Sequence, residues 1–216
     1  MQPSSDLRAR ILDAARREPA ATRQAHRWRT AALLLAGTTS LGGVFLLAGG
    51  VRLMGRPAFL VEVTGLGAAL VALGALVGAF GRGRSMLGRP LWQLALVALA
   101  APALLFAWKL GWAASFDLAM WQTERPGFRC LGWSLAMGAG PLVALVLARR
   151  GSDPIRPAGT GLGLGVAAGA LAWALLDLWC PVAHPAHLLL GHVLPLVLLA
   201  GAGALLGRAV IAIRAS

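Results

Sequence analysis

The stretch AGTGLGLGVAAGALAWALLDLW, Ala158–Trp179, carries a single ionisable side chain, Asp177. Its apolar residues run on continuously instead of alternating, so it reads as a helix and not as a barrel strand. About 20 such residues cross a bilayer. In lipid a lone segment must satisfy its own backbone groups, and a helix does. Five more stretches have this character: Ala31–Val51, Ala58–Phe80, Leu91–Gly111, Cys130–Ala148 and Leu188–Ile211. Charges, Gly or Pro bound each of them, and a tight turn at Arg52–Pro57 joins the first two. The expected fold is all-α, a polytopic membrane bundle of six transmembrane helices.

Composition points the same way. Of 216 residues, 58% are apolar and 13% charged, with a mean hydropathy of +0.72. A soluble domain is about 45–50% apolar and about 25% charged. A water-soluble enzyme core, a disordered chain and a disulfide scaffold are all poor fits. The formal charge of +12 comes from 20 Lys+Arg against 8 Asp+Glu. In a multi-pass protein such an excess marks topology, so no direct nucleic-acid partner is expected. Fifteen of the 20 basic residues fall on the side of the N-terminus. The other five are Arg52, Arg56, Lys109, Arg125 and Arg129. Both termini are therefore expected in the cytoplasm, with the bilayer as the main partner.

Three segments follow: an N-terminal arm over 1–30, the bundle over 31–211 and a tail over 212–216. No apolar core of a signal peptide is expected within the arm. Ser4, Ser5 or Asp6 can cap a short helix near 5–17 that stops before Pro19. Leu7, Ile11, Leu12, Ala14 and Ala15 form its apolar side, with Arg10, Arg16 and Arg17 mostly opposite. Such a helix can dock in a partner's groove or lie on anionic lipid.

Within the spans, Gly74 and Gly78, Gly161 and Gly165, Gly165 and Gly169, and Gly203 and Gly207 form small-xxx-small pairs. These predict close packing inside the bundle, or a homodimer seam. The run Gly159–Gly165 has neither a dinucleotide fingerprint nor a Walker lysine. Pro102, Pro141 and Pro195 are expected to kink their helices. Trp108, Trp112, Trp121, Trp133 and Trp179 suit an outer aromatic belt, and Trp28 and Trp92 an inner one.

Reactive side chains gather on the outer side. Cys130 opens the fourth span and Cys180 closes the fifth, 50 positions on. The chain near Cys180 reads Asp177-Leu-Trp-Cys180-Pro-Val-Ala-His184-Pro-Ala-His187-Leu-Leu-Leu-Gly-His192. Cys130, Cys180, His184, His187 and Asp177 are the candidate metal ligands by residue type. Their spacing matches no standard site. The alternative is interfacial His hydrogen bonding, with the Cys packed as small apolar groups. Glu62 and Asp177 are intramembrane ionisable groups near the outer boundary, where they mark function or reach back to water. No catalytic triad, HExxH or paired-carboxylate motif occurs, so no enzyme is expected.

Several features together resemble a known family. A short N-terminal helix precedes six compact spans. One Cys starts span four and a second ends span five. The fourth loop reads Ala148-Arg149-Arg150-Gly151-Ser152-Asp153-Pro154, and a Gly-rich fifth span ends in Cys180-Pro181. The chain resembles membrane-bound anti-sigma factors of the negative-regulator-of-sigma-F type. It is also similar in plan to the six-span anti-sigma factor controlling myxobacterial carotenoid synthesis. The resemblance implies a bacterial inner-membrane protein whose N-terminal helix holds an extracytoplasmic-function sigma factor. It also implies that a signal at Cys130 and Cys180 (heavy metal, oxidant or singlet oxygen) releases that partner. No cofactor is then expected, a heavy-metal ion entering only as signal. A membrane thiol-redox or metal-handling protein is the alternative, and a small transporter a lesser one.

Overall fold

The computed structural model describes residues 13, 23–80, 90–115, 126–150, 152 and 155–212. The docking residues Leu7, Ile11, Leu12, Ala14 and Ala15 lie outside them. The chain divides into two compact units, Met1–Ala32 and Leu33–Ser216. The described residues form α1 (Arg23–Leu47), α2 (Ala58–Phe80), α3 (Leu91–Ser115), α4 (Phe128–Ala148), α5 (Pro157–Trp179) and α6 (Pro185–Ile211). All six are long and apolar enough to cross a membrane. The fold is all-helical, as the continuous apolar runs required.

The ends differ where no breaker fixes them. α1 begins at Arg23, not Ala31, because Gln24, Ala25 and Arg27 are good helix formers and no Gly or Pro interrupts them. It stops at Leu47, where Gly49 and Gly50 take positive φ and turn the chain. α3 runs four residues past Gly111 to Ser115, because one isolated Gly does not end a helix.

α5 is the central helix: sixteen of its 23 residues are buried. Against it α2 turns Ala68, Ala72, Ala75 and Ala79, at 3- and 4-residue spacing. The opposite side of α2 exposes Leu66, Leu70, Leu73 and Val77. Small residues inside and large apolar ones outside are the arrangement of a bundle solvated by lipid. In water such a face would be a large exposed apolar patch.

The glycine pairs of α5 and α6 pack on each other. A Cβ on Gly161 would meet the backbone of Gly203 and Gly207; one on Gly165 would meet Leu199 and Ala200. A Cβ on Gly169 would meet Leu196. Gly78 faces Val97, while a Cβ on Gly74 would meet nothing within 4 Å. Pro102 and Pro141 lie inside α3 and α4. Pro195 acts differently, following a widened π turn over Leu189–Val193.

Gly161→Leu or Gly203→Leu should destabilise the detergent-solubilised protein by about 1–3 kcal/mol, the range for overpacking a tight contact. Gly74→Leu should stay within about 0.5 kcal/mol. Thermal melts followed by size exclusion compare the three. Equal losses at all three positions would sink the packing assignment.

Candidate functional site

One end of the bundle holds a dense polar cluster, built from the α1–α2 turn, the ends of α3 and α5, and the starts of α4 and α6. Three spans contribute to its centre. Cys130 sits in the first turn of α4, Cys180 directly follows α5, and His187 and His192 lie in the first turns of α6. All four are buried, and their ligating atoms lie within 4.8 Å of one another. The Sγ of Cys130 donates to the Sγ of Cys180 across 3.5 Å. His187 Nε2 is 3.3 Å from the Cys180 Sγ. The hydrogen bond from Cys130 holds the Cys180 thiol well below its ordinary range, with His187 adding to it and burial opposing.

A local chain of cause places His192. Pro195 has no N–H to give the carbonyl four residues back, that of Gly191, and its ring crowds that carbonyl. α6 widens there, and the Leu194 N–H donates to Leu189, five residues back. The freed Gly191 carbonyl accepts from Ser134 Oγ at 3.3 Å, tying α6 to α4. Gly191 and Gly127 approach so closely that a Cβ on either would strike the other's backbone. A Cβ on Gly191 would also touch Cys130 Cβ. His192 therefore faces inward beside Trp173, their ring centroids 5.0 Å apart. It is 1% exposed; neither ring nitrogen reaches hydrogen-bond geometry with a partner, although the ring lies close enough to Cys180 to help lower that thiol's pKa.

Beside the thiols stands a buried ion pair. Lys109 Nζ of α3 lies 3.0 Å from Asp177 Oδ1 of α5, an ion pair by distance without hydrogen-bond alignment. Lys109 also donates to the Cys180 carbonyl at 3.2 Å. Arg56, 5% exposed, donates to the carbonyls of Asp177 at 2.9 Å and Leu178 at 3.3 Å. Burial lowers the Arg56 pKa and Asp177 pushes it back up, yet a guanidinium stays charged. The α1–α2 turn is thus fastened to the end of α5 next to Cys180.

A cavity of about 150 Å³ reaches the thiols. Exposed Arg52 and Arg129 line it together with buried Cys130, Cys180 and His187. Arg52 also stacks over the Trp179 ring at 5.4 Å, and the indole N–H donates to Ala48 at 2.8 Å.

Cys130, Cys180 and His187 come together as their residue types suggested. His192, outside the expected ligand set, takes the fourth place. His184 is half-buried and stands outside the cluster. Asp177 is also outside it, because Lys109 occupies its carboxylate. Glu62 is exposed on α2. Trp179 is buried and hydrogen-bonded, not a lipid-facing belt residue. Lys109 is the chain's one lysine and Asp177 the one ionisable group of α5; both lie near the same end of their spans, a signal that could have paired them.

A family model described as negative regulator of sigma F matches residues 14–212. No curated protein and no solved structure matches the chain.

Lys109→Met strands the buried Asp177 carboxylate. The expected loss is about 3–5 kcal/mol of stability. Adding Asp177→Asn should restore much of it, read by denaturant unfolding in detergent. If the double variant is no more stable than the single one, the ion pair has been misassigned.

Proposed function

The chain belongs to the negative-regulator-of-sigma-F family, and on that premise we propose that it is a membrane-embedded anti-sigma factor for an extracytoplasmic-function sigma factor. The arm over 1–30 holds the sigma factor through Leu7, Ile11, Leu12, Ala14 and Ala15. The bundle anchors that complex at the bacterial inner membrane, away from RNA polymerase. With the N-terminus in the cytoplasm, six spans return the C-terminus there, and the Cys–His end of the bundle faces out. This is a stress-sensing regulator, not an enzyme, and it needs no direct contact with nucleic acid.

The observation that carries the sensor half of this reading is the Cys130–Cys180 pair. The two thiols come from different spans, meet at 3.5 Å, and share a cavity with two exposed arginines. A signal that bonds both sulfurs, whether heavy metal or oxidant, acts on the junction of α4 and α5. Moving a 1:99 population to 99:1 requires about 5.5 kcal/mol of differential binding. Metal–thiolate bonds or a disulfide supply energies of that order. Tethering at the membrane raises the effective concentration of the arm, so a short docking helix suffices.

The Cys–His cluster also favours a second reading, a metal-handling membrane protein. The two separate on the arm. Leu7→Asp with Ile11→Asp should make the target regulon constitutive in the anti-sigma reading, as measured with a promoter reporter. It should leave expression unchanged in the metal-handling reading.

Cys130→Ser with Cys180→Ser tests the sensor. Basal repression should persist, while induction by metal or oxidant falls at least about tenfold. An undiminished response to every inducer would remove the thiols from the sensing role.

A further inference from the structure

We propose that His187 and His192 join Cys130 and Cys180 as a four-ligand site for a single d10 cation of the Zn(II) or Cu(I) class. The inference deepens the sensor reading and rests on it only for the two thiols; the imidazole ligands are its own claim. Two thiols and two imidazoles are the donor set that suits these cations. Tetrahedral bonds of zinc's lengths, about 2.3 Å to sulfur and about 2.0–2.1 Å to nitrogen, space the ligands roughly 3.3–3.8 Å apart. The Sγ–Sγ separation of 3.5 Å and the Sγ–Nε2 separation of 3.3 Å each fall within about 0.3 Å of the roughly 3.8 Å and 3.6 Å those pairs would take. The widest separation among the four atoms is 4.8 Å or less, so only a small contraction is needed.

The independent observation is His192. A buried imidazole with both nitrogens unsatisfied is a rare and expensive arrangement. Here one is held in place by a π turn, the Gly127–Gly191 approach and the Trp173 ring. A cation would take one of its two nitrogens as a ligand. As each metal–sulfur bond forms, the thiol releases its proton to solvent and the thiolate supplies the electron pair. The cavity beside Arg52 and Arg129 gives the ion a way in. Occupation would draw the ends of α4, α5 and α6 onto one centre.

The test uses the full-length protein in nanodiscs, loaded with Co(II) as a spectroscopic stand-in for Zn(II), and then with Zn(II) and Cu(I) under competition with chromophoric chelators. The expected result is one ion per chain, with thiolate charge-transfer and tetrahedral d–d bands for Co(II). His192→Asn and His187→Gln should each weaken binding at least tenfold, since losing even a ligand's supporting contact lowers affinity about 10–100-fold. They should also shift the d–d bands. Size exclusion and circular dichroism confirm that each variant is folded, and His184→Gln serves as a neighbouring control that should change nothing. If both His variants bind with wild-type affinity and spectrum while Cys130→Ser abolishes binding, the imidazole ligands are wrong and the thiol sensor stands. If the wild-type protein binds no metal, or instead forms a disulfide, the site is overturned. The induction assay with Cys130→Ser and Cys180→Ser then decides the sensor reading separately.

Discussion

In lipid no hydrophobic force draws one apolar helix to another, so this bundle depends on how closely α5 approaches its neighbours. Gly161 and Gly165 remove the side chains that would hold α6 away, and Gly203 and Gly207 do the same from the other side. The alanines of α2 complete the contact. Dispersion between backbones in close contact replaces the solvent-driven burial of a soluble core. α5 is thereby fixed on two sides, and its last residues, Asp177 to Cys180, become a fixed point for the polar end.

What gathers there follows from the expense of burying charge. Asp177 is 0% exposed, and an isolated carboxylate in such a place would not persist. Lys109 answers it from α3, and Arg56 takes the neighbouring carbonyls from the α1–α2 turn. These contacts hold Cys180 through its own carbonyl and its neighbours, while Ser134, Gly127 and Gly191 hold α4 against α6. Cys130 and Cys180 therefore meet where the starts of α4 and α6 pack against the fastened end of α5.

Much of this is legible in the order of the residues. Continuous apolar runs predict six spans, because backbone in lipid has few alternatives. That Cys130 and Cys180 share one end of the bundle follows from counting spans. Glycine spacing marks α5 and α6 as close neighbours, although Gly74 on α2 carries the same spacing and packs on nothing. The start of α1 is not legible in this way, because a polar helical extension has no apolar signature. Proximity in sequence groups Asp177 with the Cys and His, yet its partner lies in another span.

The sequence alone determined the fold class, the number of spans and the end of the bundle at which the reactive groups lie. These depend on hydropathy and parity, which are properties of the chain taken in order. Only the tertiary structure decided that Cys130 meets Cys180, that Lys109 pairs with Asp177, and that His192 and not His184 joins the cluster. Those choices turn on helix rotation and on a single π turn at Pro195. A rotation of one residue, about 100° on a helix, carries a side chain from the core to the lipid without altering the hydropathy of the span.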